Sequence, residues 1–497
     1  MPRTNQIAFF LVILTIFVTY WFSGNVYENL PHVEDEFAYI WQAQVFAKGQ
    51  AYISSPPHPD QLVVPFVVDY NGIRFSKYPP GWSLLLSFGV LANLMSWINP
   101  ILAGLSIWLT FRLGQKIFNS GIALLASFLL LTSPFFLLNS GALLSHPFSL
   151  VLSLTLTLAW FDLFMTKGKN ATPDWIKIII AGCSLGLLAI TRPLTAIGVA
   201  FPFFIHGILN LIRADKITKI KIICIGIIAA CLSSILFLWQ TILTGDATQN
   251  LYELWWSYDR MGFGNGIGTQ PGGHNFFWII NNLVLSIIAG NVDLFGWGVF
   301  SWLFIPFGLW ASRKNRFTEI LIGIPAGLAI AYAFYWISQD IYGPRYYYES
   351  IIILCLLTSA GIFWVTDWIK STRLPPIFHH AASFLTLMLV AYNLIIYLPD
   401  RMDSMRNLYS INRNQQTPFL TDEAKSLTPA LVIVHTHEWT ECAGLLPLQD
   451  PWLTTSFIFA CYNENTSDMI QQSEFPNRRI IHYYPETMEI LLTDLTH

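Results

Sequence analysis

Three consecutive acids, Glu34, Asp35 and Glu36, stand in HVEDEFAYIWQAQVFAKGQ (32–50), just after the apolar run IAFFLVILTIFVTYWF (7–22). Carboxylates are costly beside a bilayer, so acids there invite a chemical reading. One of them could serve as a general base or as a metal ligand. The bland alternative is that acids at a helix start satisfy the dipole and the orphan amides. Other groups could answer a carboxylate. Lys77 lies in GIRFSKYPPGW (72–82), just before a rigid Pro79-Pro80 turn, where it could hold a phosphate as a point charge or simply snorkel. Arg192 in TRP and Arg345 in GPRYYYE carry the planar fork that grips a phosphate, here flanked by proline and tyrosine. His146 in LSHPF reads as a hydrogen-bonded structural histidine or as a ligand. Asp259, Arg260 and His274 punctuate a glycine-rich stretch, YELWWSYDRMGFGNGIGTQPGGHNF (252–276), which suits a mobile lid.

These groups need a frame, and composition dictates it. Of 497 residues, 54% are hydrophobic and 11% charged, and the mean hydropathy is +0.49. Soluble domains carry about 25% charged residues, so the chain is a polytopic membrane protein. A net charge of −3 gives no sign of a nucleic-acid partner. Thirteen apolar stretches, from 5–23 to 377–398, approach the roughly 20 residues that a span requires.

Short basic connections recur at Arg112/Lys116, Lys167/Lys169, Arg213 to Lys221, Arg313 to Arg316 and Lys370/Arg373. Placing them all inside predicts 11 spans, with 276–290 and one of 81–98 or 99–116 lying in the interface or re-entering, and with the amino terminus inside. That ledger puts 15 of the 27 Lys and Arg inside. It also sends 24–80, 139–147, 191–193, 244–275 and 338–349 to the outer face. The candidate site is therefore expected to be extracytoplasmic.

Residues 1–398 are expected as the membrane domain, with 24–80 and 244–275 as its large loops. Residues 399–497 are expected as a small extracytoplasmic α/β domain. There ALVIVHTHEW (430–439), LTTSFIFACY (453–462) and RRIIHYYP (478–485) read as short strands. Cys442 and Cys461 could pair in an oxidising compartment. No Walker lysine, HExxH or GxSxG signature occurs, and no internal repeat.

The order of these motifs carries a resemblance. An Asp-Glu pair after the first span, an aromatic KxPPG lead-in, then SHP, RP and GPRYYY resembles the family 39-type glycosyltransferases. Those are integral-membrane GT-C enzymes that include protein O-mannosyltransferases and lipid A aminoarabinose transferases. The resemblance covers most of residues 1–370 and is clearest over 31–86. It implies an inverting transfer, in the inner or plasma membrane, from a polyprenyl-phosphate-linked sugar to an extracytoplasmic glycan, lipid or protein acceptor. On this resemblance Asp35 is the general base and Glu36 its support, and Lys77, Arg345 and, as a second cation, Arg192 hold the donor phosphate. His146, Asp259, Arg260, His274 and Tyr346 are left as acceptor, lid or supporting residues. A divalent metal on Asp35, Glu36 and His146 is left open, and no other cofactor is implied. A polyprenyl-phosphate flippase and a non-catalytic scaffold are the competing classes. A flippase calls for polar broken helices in repeated halves, which the spans lack.

Overall fold

The computed structural model describes residues 3–166, 173–338, 341–373, 375–436, 438–461 and 475–492. The expected basic connection at Lys167/Lys169 lies outside the described residues.

Most long apolar runs fold as helix, because a chain in hydrocarbon must satisfy its amides within the segment, but the expected span 294–311 holds only the 8-residue α-helix Ile305–Ser312. Among the described residues seven helices are long and apolar enough to cross a membrane, and an eighth is added if the bent pair Ser120–Leu131 and Pro134–Gly141 is one span. Further apolar helices run over Ile98–Ile117 and Arg316–Tyr332, with shorter ones over Pro80–Ala92, Trp175–Thr191 and Ile305–Ser312. Their outward faces carry exposed Phe9, Phe10, Phe17, Phe204 and Phe237, as a lipid-facing surface requires. The protein is thus integral to the membrane. Helix length bears on two expectations about single segments. Phe276–Asp293 is a helix of 18 residues, long and apolar enough to cross, where an interfacial segment was expected. Of the pair 81–98 and 99–116, the first yields the short helix, 13 residues over Pro80–Ala92.

The first large loop is more ordered than a polar connection. It contains the helix Glu34–Ala47 and a three-stranded antiparallel sheet of β1 (Ile53–Ser54), β2 (Val67–Tyr70) and β3 (Ile73–Ser76), in the order β1-β3-β2. Asn71 and Gly72 join β2 to β3 with φ of 51° and 80°, the left-handed pair that a two-residue hairpin turn demands. Asp69 and Arg74 are cross-strand partners, and the buried guanidinium grips the carboxylate at 2.8 and 2.7 Å. Gln42 of the helix accepts from the Ser76 amide at 2.9 Å, which fixes the end of β3, and Lys77 with it, against the acid-bearing helix.

The tail folds as a four-stranded sheet, β4 (Ala430–Val434), β5 (Phe457–Cys461), β6 (Arg479–Tyr484) and β7 (Glu489–Leu492). The order is β5-β4-β6-β7, with β4 parallel to both neighbours and β7 antiparallel at the edge. Continuous burial of Ala430–Val434 explains its unbroken apolar sequence, since a central parallel strand is covered on both faces. Cys442 and Cys461 form a disulfide with Cα atoms 6.2 Å apart. The sheet rests on the first loop. Leu62 packs with Leu431, Ile458 and Ala460, and the Cys461 amide donates to Gln61 O at 3.0 Å.

Candidate active site

The helix Glu34–Ala47 begins with its three acids, and successive residues there point about 100° apart. Asp35 and Glu36 therefore face different surroundings. Glu36 is buried and turned to backbone. Its oxygens accept from the amides of His32 (2.9 Å), Val33 (3.3 Å) and Leu143 (2.7 Å), pinning the helix start to the 139–147 turn. Burial pushes its carboxyl up to about 7 despite those three amides. Asp35 instead faces a cavity of about 510 Å³. One of its oxygens accepts from the Tyr78 hydroxyl and the other from Arg345 Nη1 at 2.7 Å. Burial works against its charge, but Arg345, the Tyr78 hydrogen bond and Lys77 outweigh it and hold the carboxyl below its usual range.

Local geometry aims each cation. Arg345 opens the turn Arg345–Ser350, after Gly343 at φ 74°. A Cβ at Gly343 would stand 2.6 Å from Phe135, so only glycine lets this loop approach so closely. The loop is held from two sides. Asn139 Nδ2 donates to Tyr342 O at 2.8 Å, and Arg401, itself paired with Asp293, donates to Ile341 O. Arg192 occupies the break between Trp175–Thr191 and Pro193–Arg213, where the following proline drives it out of helical geometry (φ −143°, ψ 82°). It donates from Nε to Thr195 at 3.1 Å and from Nη2 to Tyr332 at 3.2 Å. Lys77, carried in by β3, lies 3.3 Å from Asp259 Oδ2 and 3.5 Å above the Phe66 ring, with Tyr252 and Trp256 beyond. Burial pulls its ammonium below the usual range, against the opposing pull of Asp259 and Asp35. Asp259 is saturated further by Tyr335 and Trp336, each at 3.0 Å.

Of the residues singled out in the sequence, Asp35, Lys77, His146, Arg192, Asp259, Arg345 and Tyr346 all line this one cavity. Glu36, Arg260 and His274 do not. Arg260 pairs with Glu253 at 3.0 Å on the surface, and His274 Nε2 contacts Ala333 O at 2.9 Å. Instead of hanging free as a lid, the glycine-rich stretch is tied to the end of Arg316–Tyr332 and the residues after it. Gly262 donates to Phe334 O at 2.8 Å and Gln270 to Trp336 O at 2.9 Å.

The metal set does not assemble. Glu36 is committed to amides and Asp35 to Tyr78 and Arg345. Among the described residues no three His, Cys, Asp or Glu side chains come together as a metal site. Sequence reasoning named Tyr346 but missed the other tyrosines. Tyr39, Tyr78, Tyr252, Tyr332 and Tyr335 all line the cavity, and Tyr78 directly follows Lys77 in the quoted motif. It also passed over Glu349, buried behind the site and held by Ser149.

What the arrangement can do follows from its unpaired donors. Among the described residues Arg345 Nε and Arg192 Nη1 are buried without a hydrogen-bond partner, and so are both ring nitrogens of His146. Arg192 has no carboxylate within ion-pair distance among the described residues. Unmet buried guanidinium N–H groups are costly and suit an anion with several oxygens. Beside them stands a carboxylate kept ionised. The cavity can therefore bind an oxyanion and accept a proton within one chamber.

Similarity to known proteins lies in the fold. No family model matches the chain, and no curated protein matches it by sequence. Among solved structures, ArnT from Cupriavidus metallidurans, bound to undecaprenyl phosphate, aligns with a TM-score of 0.59 at 12% identity, over 98% of this chain and 94% of that one. The archaeal oligosaccharyltransferase AglB from Archaeoglobus fulgidus, in complex with an inhibitory peptide and a dolichol-phosphate, aligns with a TM-score of 0.54 at 12% identity, over 97% of this chain and 70% of that one. The chain has the GT-C fold that the motif order resembles.

Proposed function

We propose that this protein is an inverting glycosyltransferase that moves a sugar from a polyprenyl-monophosphate donor to an acceptor hydroxyl, at the extracytoplasmic face of the inner or plasma membrane. The observation that carries the reading is an ionised carboxylate, Asp35, in the same cavity as two guanidiniums with unmet donors. The lipid-phosphate ligands named for the two similar structures agree with it.

In this reading Asp35 takes the proton of the acceptor hydroxyl as its oxygen bonds to the anomeric carbon. The bond from that carbon to the phosphate oxygen breaks on the opposite face, and its electron pair stays with the lipid phosphate. Arg345 and Arg192 stabilise that charge directly, and Lys77, held by Asp259, adds positive potential to the same cavity. Arg345 is the hinge of the scheme, because it holds Asp35 at 2.7 Å while its Nε stays unpartnered. A donor phosphate that draws the guanidinium away from Asp35 removes the main influence lowering the carboxyl's pKa. Binding the donor thereby makes Asp35 a stronger base. Tyr78 continues to orient it.

The test is transfer of labelled sugar from a panel of polyprenyl-monophosphate sugars into membrane extract by the purified protein in nanodiscs. Asp35→Asn is expected to lose about 10³-fold in rate, as for removal of a general base, with donor binding and fold retained. Equal turnover by the variant removes Asp35 from the role. Absence of turnover by the unmodified protein argues for the flippase or scaffold class.

A further inference from the structure

One turn in the tail has a run of strained backbone. Asn407, Tyr409 and Ser410 all have positive φ, of 54°, 57° and 61°. Asparagine tolerates this region, but a tyrosine there is uncommon and strained. Such strain persists only where the surroundings impose it, and here they do. On one side of the turn Arg406 donates to Asn25 O at 3.3 Å. On the other, Arg413 grips Glu28 through its amide (2.6 Å) and its Nε (2.9 Å). Ile411 is wholly buried in the cluster that packs Phe37, Tyr39 and Trp41 of the acid-bearing helix.

What the imposed turn accomplishes is to place Tyr409 on the cavity wall. The ring is 43% exposed, and its nearest described aromatic neighbour, Trp439, is 6.4 Å away and tilted. Trp439 in turn meets Phe37 edge-on, so the tail and the acid-bearing helix share one aromatic border. Packing therefore does not repay the strain. Tyr409 lines the same cavity as Glu34, Asp35 and Arg345, so it and the base share one chamber. An exposed aromatic face next to carboxylates suits the alternating C–H faces and hydroxyls of a sugar ring.

We propose that Tyr409 is a specificity residue for the acceptor, stacking on a ring of a saccharide acceptor whose hydroxyl reaches Asp35. This rests on the glycosyl-transfer reading above. The turn from Asn407 to Ser410 is the device by which the tail reaches into the membrane-domain site.

The test uses the full chain in nanodiscs with a polyprenyl-monophosphate labelled sugar. Two acceptor preparations are offered separately, a protease-treated glycolipid fraction and a delipidated protein fraction of the same membrane. Label is expected in the glycolipid fraction. Tyr409→Ala raises the acceptor KM about tenfold, the value of one lost aromatic contact, while the donor KM and the rate of donor hydrolysis without acceptor stay unchanged. Tyr409→Phe keeps the stacking face and stays within about twofold. Ser410→Gly relieves strain, so it raises the unfolding temperature yet weakens the acceptor KM, a combination that a purely structural turn does not give. An unchanged acceptor KM in Tyr409→Ala overturns the proposal, as does label found only in the protein fraction. Asp35→Asn run alongside separates the two readings. If that variant transfers normally the assignment of the base fails, while the acceptor KM of Tyr409→Ala still decides the role of Tyr409. No transfer by the unmodified chain to either fraction overturns both.

Discussion

The two charged ends of the cavity treat their ions differently. At one end Lys77 and Asp259 are closed on each other, with Tyr335 and Trp336 completing the carboxylate and aromatic rings surrounding the ammonium. At the other, Asp35 and Arg345 are closer, at 2.7 Å against 3.3 Å, yet Arg345 keeps an unmet donor and Arg192 has no carboxylate within ion-pair distance among the described residues. The first arrangement is satisfied within the protein, and the second has donors to spare. A buried ion pair by itself is therefore a poor guide to function. What distinguishes a site is the polar capacity the protein leaves unused.

The comparison is broken most forcefully at the closed end. Lys77→Met leaves Asp259 buried without its cation, and is expected to cost about 4 kcal/mol in thermal unfolding of the nanodisc-embedded protein. Lys77→Met with Asp259→Leu should regain most of that. If the double variant is no better than the single, the pair is not the self-contained unit described.

Next in size is a contrast between adjacent carboxylates. Glu36 has a folded-state pKa of about 7, above its usual 4.5, so the folded state favours its protonated form. Its contribution to stability is complete below pH 4.5 and is lost as pH rises through about 7, a change of about 3 kcal/mol. Glu36→Gln should flatten that slope in unfolding measured across pH 4.5 to 8 while leaving catalysis near normal. A variant that unfolds normally but has lost sugar transfer would return Glu36 to the chemistry.

At the open end, Arg345→Ala should lower the rate about 10²-fold, the cost of one donor to developing charge. Smallest is Arg192→Lys, which keeps the charge but loses the planar fork. About a tenfold rise in donor KM is expected, with kcat little changed.

Much of this was legible in the sequence, for physical reasons. Helices follow from apolar length alone, and β4, β5 and β6 from short apolar runs bounded by turns. Asp35, Lys77, Arg192 and Arg345 could be named because charges are expensive at a membrane edge. The β2–β3 hairpin was equally readable, since Asn71-Gly72 between alternating residues is the strongest short-range turn signal, but it was passed over as a polar loop. Other features were not accessible. The Asp35–Arg345 pair joins residues 310 positions apart, and the left-handed turn at Tyr409 is imposed by contacts to Asn25 and Glu28. Nor does a run of three acids reveal which of them face the chamber. Helical rotation settles that, and it assigned Glu36 to the backbone and Glu34 and Asp35 to the cavity.

The central claim is that donor phosphate draws Arg345 from Asp35 and so frees the base. The most direct test is the pH dependence of kcat/KM and of kcat for labelled-sugar transfer, which report the free and the donor-bound enzyme respectively. The account predicts an acid limb below the usual carboxylate range in kcat/KM and a higher one in kcat, with the two merging in Arg345→Ala. The same acid limb in both profiles of the unmodified protein would contradict it.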